Sequence, residues 1–492
     1  VIQHGQGLTA LIFVAELILR IGLALRVVMR RLDIGATLSW LTVILSAPFV
    51  GAGLYLLVGE SRLGRRRAQR EAEIELEYGR YLDIHSQRGR AQDLALQHPI
   101  QRMARHAESI GGFPALGGNA FELFSDASAV LSSIVGEIDA AQRTVHMVFY
   151  IWGEGGQADD VAEALVRAAK RGLRCRLAVD AVGSQRFLRS ARARQMREAG
   201  IEIATVLPVG LLRMLFVRAD LRNHRKIVVI DGWIGYTGSM NLVDPRYFKQ
   251  GSGRFGEWVD AMLRIEGPVV EQLNLLFLHD WEMETGFGLN MDDLPAFFEA
   301  TGLVCPLDRG PAVAQLIASG PGLRRGVVHE LLTSMVYAAR DEVILTTPYF
   351  VPDPTLQAAL VAAGHRGVRV RLIVPRVVDS RMVDLASRAY FDDLLAAGVE
   401  IHRFEGGLLH TKSVTVDGHD ALFGTLNLDP RSFWLNFELM LLVHDDDVAH
   451  EIRRLQISYL DHCQPIEPTS WYQRPFHIRL TENVVQLFTP LL

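Results

Sequence analysis

The sequence predicts an α/β fold built as a duplicated domain, two sheet-and-helix halves related by a pseudo-two-fold, with N-terminal membrane helices in front of it. The stretch NHRKIVVIDGWIGYTGSMN (223–241) repeats its polar skeleton as LHTKSVTVDGHDALFGTLN (409–427). His224, Lys226, Asp231, Gly238, Ser239 and Asn241 map onto His410, Lys412, Asp417, Gly424, Thr425 and Asn427, each pair 186 positions apart. Around both copies, short apolar strands alternate with amphipathic helices in one shared order, the pattern of a layered α/β domain. Ahead of them lies TLSWLTVILSAPFVGAGLYLLV (37–58), 22 residues without a formal charge.

As one helix, that run is long enough to cross a hydrocarbon core of about 30 Å. Its Pro48, Gly51 and Gly53 are of types common in membrane helices. An earlier segment, 8–29, is apolar but interrupted by Glu16, Arg20 and Arg26; Glu16 and Arg20 are four apart and can pair on one helix face. It reads as a second span, with an interfacial amphipathic helix as the rival. Residues 1–59 thus form a membrane region of one or two helices. Arg62, Arg65, Arg66 and Arg67 follow the second segment, and by the positive-inside tendency the rest of the chain faces the cytoplasm.

Residues 60–108, rich in Arg and Glu, read as a charged helical connector, most simply a solvated spacer. The first repeat is expected over 109–300, the second over 301–465, and a tail over 466–492. VHMVFYIW (145–152) parallels VILTTPYF (343–350), and KRGLRCRLAVD (170–180) parallels HRGVRVRLIVP (365–375), a helix ending at glycine before a strand. MREAGIEI (196–203) parallels LLAAGVEI (394–401). The halves differ before the motif: 24 residues separate Gly200 from His224, but only 12 separate Gly398 from His410. The extra residues include VGLLRMLFVR (209–218), which reads either as an ordinary buried loop or as a membrane-dipping lip beside the site.

At 492 residues the chain exceeds one typical core, consistent with two repeats plus accessory segments. Its net charge of -5 argues against a nucleic-acid partner, whose binding surface is usually basic. Cys175, Cys305 and Cys463 show no CxxC spacing and read as reduced. No HExxH metal pattern and no GxxxxGK[ST] phosphate loop occurs, so neither a metal nor another cofactor is expected.

Residues two apart on a strand share a face, so His224 emerges with Lys226, and His410 with Lys412. Asp231-Gly232 and Asp417-Gly418 are hairpin-turn dipeptides, and the returning strands deliver Ser239 and Asn241, or Thr425 and Asn427. These types suit displacement at a phosphodiester. A neutral imidazole attacks phosphorus while a protonated one donates to the departing alkoxide. Lys226, Lys412, Asn241 and Asn427 can hold the non-bridging oxygens. Glu257 in GEWVD and Glu438 in NFELM can each accept the second ring N–H of a histidine. Arg246 and Arg431, in NLVDPR and NLDPR, can support the loops or meet anionic head groups.

The paired HxKx4D motifs, each with a downstream GSxN-like segment, resemble the phospholipase D superfamily over roughly 115–465. GLYLLVGESRLGRRR (53–67), GEWVDAMLRIEGPVV (256–270), TPYFVPD (347–353) and NLDPRSFWLNFE (427–438) are similar to the bacterial cardiolipin synthases. That resemblance implies a duplicated phospholipase D-like fold and, as catalytic residues, His224, Lys226, Asp231, His410, Lys412 and Asp417. It implies transfer of a phosphatidyl group between two phosphatidylglycerol molecules, giving cardiolipin and glycerol, through a phosphohistidine. His224 is then the nucleophile and His410 the acid, then the base, although the symmetry leaves the reverse open. It also implies a bacterial inner-membrane location, while the oligomeric state stays open, a homo-oligomer included. The rivals are a membrane-bound hydrolase using water as second nucleophile, a tethered nuclease, which the acidic balance disfavours, and a non-catalytic lipid scaffold, which the intact motif pairs oppose.

Overall fold

The computed structural model describes residues 2–30, 34–59, 67–74, 98–210, 218, 220–247, 256–286, 308–322 and 325–489. Most of the apolar insertion 209–218, much of the connector 60–108 and Cys305 lie outside the described residues.

The first half runs β1 (Leu116–Phe124), β2 (Thr144–Phe149), β3 (Arg174–Asp180), β4 (Glu202–Val206), the hairpin β5 (Ile227–Ile230) and β6 (Ile234–Gly238), then β7 (Trp258–Val259) and β8 (Met262–Glu266). The second half repeats it as β9 (Ala312–Ser319), β10 (Glu342–Thr346), β11 (Arg369–Pro375), β12 (Glu400–Phe404), β13 (Leu408–Leu409), the hairpin β14 (Ser413–Val416) and β15 (Asp420–Gly424), β16 (Glu438–His444) and β17 (Cys463–Pro465). Helices Gln157–Lys170 and Pro354–His365 join the parallel pairs β2–β3 and β10–β11, as the duplicated pattern predicts. Each is followed by glycine at positive φ, Gly172 or Gly367, which releases the chain into the next strand.

The described strands form one sheet in the order β17-β12-β11-β10-β14-β15-β16-β9-β1-β8-β6-β5-β2-β3-β4, plus the small parallel pair β13–β7. The middle of this order is antiparallel throughout, so in a flat sheet β2 and β10 would point in opposite directions. Nine steps separate them. At the usual twist of roughly 20–25° per step, that is about half a turn, and it brings the carboxyl ends of β2 and β10 to the same side. Short bridges then tie the halves directly: Asn223 to Phe437, and Leu408–Leu409 alongside Trp258–Val259.

One of the main core clusters draws on both halves. Leu273 and Phe277 of helix Val269–Thr285 meet Leu263 and Ile265 of β8, Leu316 of β9, Phe423 of β15 and Leu441 of β16, all essentially buried. Each such side chain contributes about 1.5–3 kcal/mol of burial. The halves therefore share a core instead of merely touching. Within it, His146 stacks on Phe277 at 4.5 Å, and its Nδ1 donates to Asn274 Oδ1 at 2.8 Å.

At the N-terminus one helix covers Ile2–Met29, and Arg20 meets Glu16 at 2.5 Å as its four-residue spacing predicts. The single helix expected over 37–58 does not form. It is divided into Ile34–Ser46 and Pro48–Val58. Pro48 has no N–H and disfavours α geometry in the preceding residue, and Ala47 accordingly sits at φ -138, ψ 77. The arms fold back on one another, with Trp40 edge-on to Tyr55 at 5.3 Å. A side chain at Gly51 would be driven against the Val43 and Ile44 backbone. At 1.5 Å per residue, arms of 13 and 11 residues reach only about 20 and 17 Å. Among the described residues, no helix is long and apolar enough to cross a membrane.

Burial holds the His146 imidazole down at about 3, whereas an unfolded chain takes up that proton near 6.5. Its contribution to stability is therefore present above pH 6.5 and is lost as pH falls towards 3. The melting temperature should fall between pH 6.5 and 4. Replacing His146 and Asn274 together by leucine should make that slope shallower by up to one proton, about 1.4 kcal/mol per pH unit. An unchanged slope in thermal melts would show that the proton is taken up elsewhere.

Candidate active site

The two hairpins deliver their histidines at the carboxyl ends of β2 and β10. Val148 of β2 pairs with Ile227, and Thr346 of β10 pairs with Ser413, so the residues just before β5 and β14 lie at those ends. His224 and His410 are 8% and 5% exposed; Lys226 and Lys412 are fully enclosed. Each lysine Nζ donates to the carbonyl of its own histidine at 2.6 Å, locking motif and backbone together.

The defining contacts cross between the halves. His224, from the first repeat, lies 3.0 Å through Nδ1 from Glu438 Oε2 of the second. His410, from the second, lies 2.6 Å through Nδ1 from Asp260 Oδ1 of the first. Thr425 Oγ1 donates to Glu438 and Ser239 Oγ to Asp260, both at 2.6 Å. The motif glycines permit this approach, because a Cβ on Gly238 would strike the Ala261 carbonyl and one on Gly424 the Leu439 carbonyl. With Nδ1–H committed to a carboxylate, Nε2 of each imidazole is the free, unprotonated nitrogen.

Burial lowers the His224 and His410 proton affinities despite these partners, His410 to about 4. Burial likewise brings Lys226 down to about 8 and Lys412 well below its usual range. Burial pushes Asp260 up, but the charge and hydrogen bond of His410, together with Lys412 and Ser239, outweigh it and hold Asp260 at about 2. Glu438 is lowered in the same way by His224, Lys226 and Thr425. Near neutral pH the cavity thus holds two ionised carboxylates behind two neutral imidazoles, beside two lysines whose burial makes them release protons more readily than usual. An entering anion favours the protonated form of both imidazoles and both lysines.

Three candidate residues stand away from the histidines. Glu257 is exposed, and its carbonyl accepts from Leu408 N at 2.9 Å. Asp260, three residues later and 6% exposed, takes the role expected of Glu257. The signal was present as an acidic residue two before a methionine: Met262 pairs with Gly238 as Met440 pairs with Gly424, which makes Asp260 the equivalent of Glu438. Asp231 and Asp417 also stand apart, at the far ends of β5 and β14, with positive φ of 53 and 52. The Asp231 carboxylate accepts from the N–H groups of Gln142, Arg143 and Thr144 at 2.7–2.8 Å. Asp417 does the same for Arg340, Asp341 and Glu342 at 2.8–2.9 Å. Both anchor the starts of β2 and β10.

Asn241 and Asn427 are buried in the loops after β6 and β15, and Asn241 Oδ1 accepts from Ile151 N at 3.2 Å. Other neighbours were not legible in the motifs. Tyr150 sets its ring edge-on to His224 at 5.3 Å, while Trp258 stacks on His410 at 4.6 Å. Arg225 forms a buried pair with Asp280 and donates to the carbonyls of Glu438 and Ser319. The matching Thr411 instead shares a 2.9 Å hydrogen bond with Tyr459. Arg246 closes its own loop on Asp244, and Arg431 reaches Asp220.

A family model described as "Cardiolipin synthase, PLD-like domain" matches residues 134–281 and 332–456, spanning both motifs and both carboxylate partners. The chain belongs to this family. Cardiolipin synthase A of Erwinia tasmaniensis is 43% identical over 480 residues, 96% of each chain. Cardiolipin synthase A of Edwardsiella ictaluri is 44% identical over 472 residues, 95% of each. A crystal structure of phosphatidylserine synthase from Haemophilus influenzae shares the fold, with TM-score 0.56 and 16% identity over 79% of this chain and 97% of that one.

In this cardiolipin synthase family member, Asp260→Asn should lower turnover by about 100-fold or more, since it removes the carboxylate that holds the His410 imidazole. Glu257→Gln should stay near wild type; equal losses in the two variants would overturn the reassignment. Asp231→Ala should cost about 2–4 kcal/mol by orphaning three N–H groups, read as a lower melting temperature with activity retained per folded molecule.

Proposed function

We propose that the chain is a phosphatidyltransferase making cardiolipin from two phosphatidylglycerol molecules. The crossed pairs carry this reading: two imidazoles, each held by a carboxylate of the opposite half, with Nε2 free. His224 Nε2 attacks the phosphorus of the first lipid as the bond to the terminal glycerol breaks. His410, loaded with a proton as the phosphodiester anion enters, gives that proton to the departing oxygen, and glycerol leaves. The neutral His410 then takes the proton from a hydroxyl of the second phosphatidylglycerol. The oxygen attacks the phosphohistidine and the P–N bond breaks. Lys226, Lys412, Asn241 and Asn427 hold the non-bridging oxygens. Because one phosphodiester replaces another, the step needs no nucleotide.

The N-terminal helices are the proposed attachment to the bacterial inner membrane, with the catalytic body on the cytoplasmic side. Phe13, Ile18, Leu25, Ile34, Phe49 and Val50 are all more than half exposed there, a surface suited to lipid. The fold-back at Pro48 supports embedding as a compact helical cluster over a straight single crossing.

Membranes containing the full chain, given labelled phosphatidylglycerol, should yield cardiolipin and glycerol. Phosphatidic acid alone would replace this reading with the hydrolase. His224→Ala and His410→Ala should each lose about 1000-fold in turnover. Rapid quenching should trap label on His224 in the wild type; label on His410 would reverse the two roles, and near-normal turnover in either variant would overturn the mechanism.

A further inference from the structure

The tail ends in a helix, Phe476–Gln486, that leaves one face uncovered. Phe476 (77%), Leu480 (49%), Val484 (45%) and Leu487 (68%) are exposed, at spacings of four, four and three, which places them on a single stripe. Scattered apolar exposure is ordinary; a continuous stripe on one helix is not. The opposite side is firmly held. Glu482, 1% exposed, sits 2.8 Å from Arg388 and 3.3 Å from Arg474. The Arg474 guanidinium lies 3.5 Å over the Trp471 ring, and Trp471 Nε1 donates to Asp392 at 2.6 Å.

These contacts also place the helix. Its leading segment is tied to Asp392, near the end of helix Arg381–Ala396, whereas Glu482 is tied to Arg388, one turn nearer that helix's start. The tail helix therefore packs on Arg381–Ala396, the helix that follows the loop after β11. In that loop the Asp379 carboxylate accepts from Tyr349 OH at 2.7 Å, at the carboxyl end of β10 where His410 sits. Val377, in the loop after β11, and Met382 are exposed, and in the first half exposed Val182, Val209 and Tyr247 stand in the loops after β3, β4 and β6.

We propose that this stripe docks on an anionic lipid bilayer and, with the apolar loops at the strand ends, turns the mouth of the site against it. The inference rests on the reading that the substrates are bilayer lipids. The charge on the helix favours this occupant: its one carboxylate, Glu482, is buried between arginines, while Arg479 and His477 are exposed. A helix with exposed apolar residues, basic flanks and no exposed acid has the make-up of an interfacial helix.

The test uses the full chain reconstituted in phosphatidylglycerol vesicles, with Cys305 and Cys463 replaced by serine. Leu480→Cys carries an environment-sensitive dye, and quenching by lipids spin-labelled on the acyl chain is read. Docking predicts quenching by the acyl-chain label. A dye that stays water-exposed overturns the proposal. So does a dye already shielded in detergent, with Leu480→Cys cross-linking copy to copy, which would make the stripe a self-association face. A second variant, Leu480→Glu with Val484→Glu and Leu487→Glu, should lose about tenfold or more on vesicle lipid. It should keep wild-type turnover of a dispersed short-chain phosphatidylglycerol; equal activity on both forms counts against docking. If the wild type turns over neither lipid, the proposed function fails, while the quenching result still decides the docking.

Discussion

Everything at the centre of this protein depends on two hydrogen bonds that cross between its halves, His224 to Glu438 and His410 to Asp260. A buried imidazole next to a buried carboxylate is costly to assemble, because both groups leave water. The enclosure that imposes the cost also makes the contacts short and sets the tautomers. The two supporting hydroxyls, Ser239 and Thr425, share the load by donating to the same carboxylates. No half can complete either pair alone, so the shared core and the site require one another.

The geometry that makes crossing possible is a property of the whole sheet. Antiparallel steps alone would send the two histidine-bearing ends apart, and it is accumulated twist that returns them to one side. The short parallel pair β13–β7 then holds Leu408 and Leu409 against Trp258 and Val259, immediately ahead of His410 and Asp260. Asp231 and Asp417 hold the opposite ends of the same strands by capping backbone N–H groups. The motif thus records a strand fastened at both ends, with chemistry at one of them.

The sequence was most legible where a pattern repeats. Strand order, hairpins and the pairing of His, Lys, hydroxyl and Asn all followed from two copies in register. Asp260 was missed because GEWVD offers two carboxylates, and the strand register that equates Met262 with Met440, and so Asp260 with Glu438, is visible only once the partners are known. The break at Ala47 was missed for a different reason. Run length counts apolar residues, but a helix also needs an unbroken ladder of N–H groups, and Pro48 interrupts it. Arg225 and Asp280 are 55 positions apart, and nothing local in either segment announces the pair.

The residue two before each partner carboxylate is Trp258 in one half and Asn436 in the other. Trp258 covers His410, whereas Asn436 donates to Glu438 at 3.1 Å. A symmetric homodimer of single repeats would have to furnish both imidazoles identically, since any change appears twice. Joining the repeats in one chain lifts that obligation, and each histidine has acquired its own surroundings: Trp258 and Asp260 for one, Tyr150 and Glu438 for the other. Carrying both repeats in one chain is thus a means of breaking symmetry, allowing a site built from two like halves to treat its first and second substrates differently.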